Sequence, residues 1–116
     1  MSQELAVIDL TYELGVWLDV QIERFPKAAR FVVGSRILNK QSELLDTLLE
    51  AKFSRDKSAA LKQAALLLEQ IRFQLRLCHD RRYLSHGCHQ LAIEKLTQIS
   101  RQVQGWRKFC DRDGSP

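Results

Sequence analysis

The sequence predicts an all-α protein, an antiparallel up-down-up-down four-helix bundle that assembles as a homo-oligomeric ring. Helix breakers cut the chain into four pieces of roughly 20 to 25 residues, and in each piece apolar residues recur at helical spacing. No segment sustains the alternation of a strand. The apolar residues also exceed one stripe per helix, which is what predicts association. The 116 residues suit one domain, and 45% apolar residues with only five Gly and two Pro describe a chain that folds around one core without disulfide or metal. The bundle domain is placed at residues 1–110 and a disordered tail at 111–116.

In the first piece Leu5, Ile8, Tyr12, Gly15, Leu18, Ile22 and Phe25 step by three or four and are expected on the inward face. Pro26 stops this helix and can open the next at its first position, where a missing N–H costs nothing. The second piece runs to about Lys52, with Ala28, Phe31, Ile37 or Leu38, Gln41, Leu44 or Leu45, Leu48 and Ala51 expected inside. The break at residues 53–56 offers Ser54 or Asp56 as N-cap for the third piece. There Leu61, Ala64, Leu68, Ile71, Leu75 and Cys78 make the clearest seam in the chain. The last piece starts near Ser85, another N-cap candidate, and carries Ala92, Leu96, Ile99, Val103 and Trp106 on one stripe. Gly15, Gly34 and Gly105 each cost about 1 kcal/mol against Ala inside a helix, so close backbone approach is the expected reason for them.

The apolar surplus forms second rows: Leu66, Phe73 and Leu77 on the third helix, and Val7, Leu10, Leu14 and Trp17 on the first. Apolar patches of this kind on soluble proteins mark a partner, and Leu14, Trp17, Leu66, Phe73 and Leu77 are the expected oligomer contacts. Charge is unevenly spread. Residues 1–23 hold five acids and no Lys or Arg, residues 24–42 five bases and no acid, and residues 43–50 three acids. From residue 51 on, 13 bases face six acids, within a chain whose net charge is +4. Eleven of the 18 bases are Arg, whose planar fork suits phosphate. Arg72, Arg76, Arg81 and Arg82 gather along the end of the third helix, where cations also complement the helix dipole. A ring would repeat each weak patch into a field that attracts nucleic acid.

Catalysis is not expected. The five glycines never cluster into a phosphate cradle. Cys78, His79, His86, Cys88 and His89 gather at one turn, but their spacing is unlike paired zinc knuckles, and Cys78 reads as a small buried hydrophobe. No metal or other cofactor is therefore assigned. No apolar run approaches the ~20 residues that span a bilayer, the N-terminus carries acids where a secretory signal carries bases, and three cysteines form no complete set of bridges. The expectation is a cytoplasmic protein with free thiols and no membrane partner.

Five stretches of the sequence, Phe25-Pro-Lys-Ala-Ala-Arg-Phe31, Gly34-Ser-Arg-Ile37, Leu44-Leu45 to Glu50-Ala51, Ile71-Arg-Phe-Gln-Leu-Arg-Leu77 and Gly105-Trp106, together resemble the Avd-like proteins. These are the accessory variability determinants of diversity-generating retroelements, and the resemblance covers about residues 10–109. It implies a four-helix protomer in a basic, barrel-like homopentamer that binds a reverse transcriptase and its template RNA or cDNA. It implies no active site; the protein supports synthesis of adenine-mutagenised cDNA destined for a variable target gene. Carried over by position, the binding surface includes Arg30, Arg36, Arg72 and Arg76, with Arg81 and Arg82 extending it. Four-helix proteins encoded in intervening sequences of 23S ribosomal RNA genes share the bundle and part of the pattern. A scaffold or regulator that binds only proteins is the alternative outside the nucleic-acid class, and salt-sensitive affinity for random RNA or DNA discriminates the two.

Overall fold

The computed structural model describes residues 3–112, and all of the regular structure among them is helical. Helix α1 spans Gln3–Glu23 and α2 residues 27–53. Helix α3 spans Ser58–Asp80 and α4 His86–Arg112. Each helix packs on two neighbours: α1 on α2 and α4, and α3 on α2 and α4. The assembly measures 48 × 23 × 22 Å. At 1.5 Å per residue the 27 residues of α4 are about 40 Å long, so the helices run the length of the molecule around a single core.

Short local devices set the helix ends. Arg24 N–H and Phe25 N–H bond back to the carbonyls of Gln21 and Ile22, tightening the last turn of α1 before Pro26. Pro26 is the N-cap of α2 rather than its first residue, and its carbonyl accepts from Arg30 N–H at 2.9 Å. At the other end of α2, Ser54 turns its hydroxyl back to Glu50 O, while Lys57 Nζ donates to Ala51 O, Lys52 O and Ser54 O, satisfying carbonyls the helix leaves open. Neither cap candidate is the N-cap of α3, which is Lys57 without a side-chain cap bond; Asp56, one residue earlier, accepts from Ser58 N–H through its carboxylate. Ser85 caps α4 through Cys88 N–H. Helix α4 continues through Asp111 and Arg112, two residues into the stretch assigned to a tail; residues 113–116 lie outside the described ones.

The seam of α3 and the stripe of α4 are buried residue for residue. At about 1.5–3 kcal/mol for each large aliphatic side chain, these two faces supply much of the folding free energy. Helices α1 and α2 correct the sequence reading. On α1 the buried stripe runs Val7, Ile8, Thr11, Leu14, Leu18, Ile22 and Phe25, so Leu5 and Tyr12 face solvent, whereas Val7 and Leu14 belong to the core. Apolar residues surround this helix, so periodicity did not choose its face. Thr11 can be buried because its hydroxyl bonds to Val7 O at 2.8 Å. In α2, residues Arg30–Gly34 form a π-helical turn between Lys27–Ala29 and Ser35–Phe53. Its wider turn rephases the stripe, burying Ala29 and Val33 and leaving Ala28, Phe31 and Val32 exposed; Ala28 and Phe31 were expected inside.

Two glycines mark close approach of α1 and α2. A Cβ at Gly15 would stand 2.5–2.6 Å from the amide of Gln41, which donates to Thr11 O at 2.9 Å. A Cβ at Gly34 would stand 2.6 Å from Ile22 Cγ2.

Candidate nucleic-acid and partner interface

Once the core is filled, the surface keeps two apolar grooves with guanidinium groups at their edges. Between α2 and α3, an open groove of about 390 Å³ is lined by Ala28, Ala29, Val32, Val33, Leu77, Arg81 and Tyr83. The π turn builds it, because that turn sets Val32 beside Leu77 and leaves Phe31 68% exposed. Arg81 stands over the Tyr83 ring at 5.7 Å, and Arg30 over Phe31 at 5.8 Å, so both charges rest on aromatic faces. Arg30 is half-buried, with Nε buried and without a hydrogen-bond partner.

Between α3 and α4 lies a smaller hollow of about 190 Å³, lined by Arg72, Phe73, Arg76, His89 and Ile93. Arg72 pairs with Glu69 at 3.5 Å and Arg76 with Asp80 at 4.0 Å. Both are long contacts, with Arg72 half-buried and the other three groups exposed, of the kind worth little in water. The sequence-predicted arginines thus fall into separate places. Arg72 and Arg76 share the α3–α4 hollow and Arg81 edges the α2–α3 groove. Arg36 is exposed on α2 in a hollow shared with Val32, Ser35, Asn39, Lys40 and Glu43.

Arg82 is exposed and holds φ at 63°, the left-handed conformation that ends α3. Its N–H bonds to His79 O and that of Tyr83 to Cys78 O, a Schellman turn whose usual residue is Gly.

The expected oligomer contacts divide in the same way. Leu66, Phe73 and Leu77 are exposed, and Trp17 is half-buried under Lys95 Nζ at 5.6 Å. Leu14 is 1% exposed and packs in the core, so its assignment to an interface is overturned. In its place α1 presents Tyr12, Val16 and Val20, spaced one turn apart on the helix that carries five acids. Sequence reasoning missed this stripe because it assigned Tyr12 inward. The exposed Val32 escaped it too, since a π turn has no marker in the sequence.

The histidines gather as expected where α3 meets α4. The His79 and His89 rings stack at 4.6 Å, and His86 Nδ1 lies 3.4 Å from His79 Nε2. Burial, then the neighbouring His79 and His86, lower the pKa of His89 against an opposing pull from Asp80. Among the described residues no group of three or more His, Cys, Asp or Glu is arranged to hold a metal ion. Burial pushes the Cys78 thiol up to about 11, which makes it a poor nucleophile. No helix among the described residues is long and apolar enough to cross a membrane.

Guanidinium groups thus rest on aromatic and aliphatic surface at both grooves. The family model described as bAvd-like matches residues 9–110. The chain belongs to the bAvd-like family. It is therefore a protein of the Avd accessory type, as the motifs around Phe25–Phe31 and Ile71–Leu77 implied. Neither the curated proteins nor the solved structures compared with it gave a match. The bAvd-like match takes in α2 and α3 whole, most of α1 and α4, and every residue lining the two grooves.

Proposed function

We propose that this bAvd-like chain is the non-catalytic accessory protein of a diversity-generating retroelement. It joins a reverse transcriptase to template RNA or cDNA in the cytoplasm, as a homopentameric ring of antiparallel four-helix protomers. The observation that carries the reading is the pairing of apolar grooves with Arg72, Arg76 and Arg81, along α3 and at its end, in a chain of this family. The antiparallel course is supported by Thr11 meeting Gln41 while Ile22 meets Gly34.

A head-to-tail contact suits the ring. The acidic α1 stripe of Tyr12, Val16 and Val20 complements the α2–α3 groove, whose edge carries Arg81 and whose neighbours include Phe31 and Arg30. Such heterologous contacts close when the rotation per copy is a whole fraction of a turn. They cover α1 acids together with Arg30 and Arg81, and leave Arg36 and the α3–α4 hollow with Arg72 and Arg76 outward. Five copies carry a formal charge of about +20, enough to steer nucleic acid at low salt.

Light scattering is expected to give a mass near five protomers, and a strict monomer at micromolar concentration refutes the ring. Affinity for random RNA or DNA is expected to fall steeply with salt. Arg72→Glu with Arg76→Glu weakens binding of RNA or polymerase without unfolding, and unchanged binding of both partners removes these residues from the surface. A protein that binds no nucleic acid even at low salt is instead a scaffold for protein partners alone.

A further inference from the structure

We infer that the hollow between α3 and α4 receives one unstacked nucleotide of a single strand, its base on the Phe73 ring and its phosphate on Arg72 and Arg76. The inference rests on the proposed nucleic-acid binding and gives it a location. At about 190 Å³ the hollow is smaller than the roughly 300–1,000 Å³ of sites for drug-sized ligands, so it suits a single planar ring. Phe73 is 63% exposed, which leaves its ring open to a stacking partner. Ile93 supplies an apolar wall and His89 an imidazole from α4.

The two ion pairs at the hollow run from guanidinium Nε to Glu69 at 3.5 Å and to Asp80 at 4.0 Å, too long to hold either guanidinium group against a phosphate. Bases in a duplex hide their faces against one another, whereas an aromatic platform flanked by guanidinium groups matches single strands. This use also separates Phe73 from the contacts between copies. In the head-to-tail contact proposed above, the acidic α1 takes the α2–α3 groove, which leaves the α3–α4 hollow free.

Phe73→Leu keeps an apolar side chain and the helix while removing the ring. Fluorescence anisotropy with a labelled 20-nucleotide oligo(dT), and with a duplex of equal length, measures the effect at fixed salt, alongside light scattering. The variant is expected to bind the single strand about tenfold more weakly, with unchanged salt slope, duplex affinity and mass. Phe73→Trp is expected to retain wild-type affinity for the single strand or exceed it. If the wild type binds and Phe73→Leu matches it, the pocket is wrong while the wider function stands. If the mass of Phe73→Leu falls, Phe73 is a contact between copies and the inference fails. If the wild type binds neither probe at low salt, the proposed function fails first.

Discussion

Replacing Gly15 by Ala sets two effects of similar size against each other. In an ordinary helix interior the change stabilises by about 0.8–1 kcal/mol, because Gly loses more backbone freedom on folding. Here the new methyl would occupy the space of the Gln41 amide, at 2.5–2.6 Å from three of its atoms. Gln41 is buried, and its Nε2 donates to Thr11 O. Displacing it breaks that bond and strands a buried amide, at about 1–3 kcal/mol. Gly15→Ala is therefore expected to destabilise by roughly 0.5–2 kcal/mol, or about 2–8 °C in Tm for a domain of this size. In a Gln41→Ala background the obstruction is gone, and the same substitution should stabilise by about 1 kcal/mol. The sign reversal is a coupling energy between neighbours. Urea denaturation followed by circular dichroism measures it, with protomer concentration held fixed because association shifts apparent stability. Equal stabilisation in both backgrounds would refute the close-packing account of this glycine.

Three further outcomes follow from particular residues. Arg82→Gly relieves the positive φ at the end of α3 and should stabilise the fold by about 0.5–1 kcal/mol in thermal unfolding; a loss of stability would show that the Arg82 side chain outweighs the strain. The pKa of His89 lies below its ordinary 6.5 in the fold, so the unfolded chain takes up its proton first as pH falls. Stability is thus expected to drop as pH falls from 6.5 through the lowered value, and His89→Asn should flatten that part of the Tm-against-pH profile. Cys78 is buried with its thiol raised from 9.0 to about 11, so it should resist a thiol reagent at pH 8 until the protein unfolds. Rapid modification of Cys78 in the folded protein would contradict its place in the core.

Much of the architecture was legible because one stripe of α3 and one of α4 keep unbroken helical spacing, so periodicity alone identified Leu61 through Cys78 and Ala92 through Trp106 as core, even with Leu66, Phe73 and Leu77 beside the first. On α1 apolar residues surround the helix, and only packing against α2 decided that Thr11 and Leu14 go inside while Tyr12 goes out. The arginines of the candidate surface were legible as charges along α3. Their division between two grooves was not, since it depends on which neighbour each side of α3 faces.

The sequence by itself determined four helices, the Ser85 cap of α4 and, through its motifs, the bAvd-like character, because helix formation and capping depend on neighbours within a few turns. Tertiary structure alone decided the π turn of α2, the groove it opens beside Leu77, and the meeting of Gly15 with Gln41. A helix face is chosen by whatever packs against it, and residues distant in the chain supply that choice.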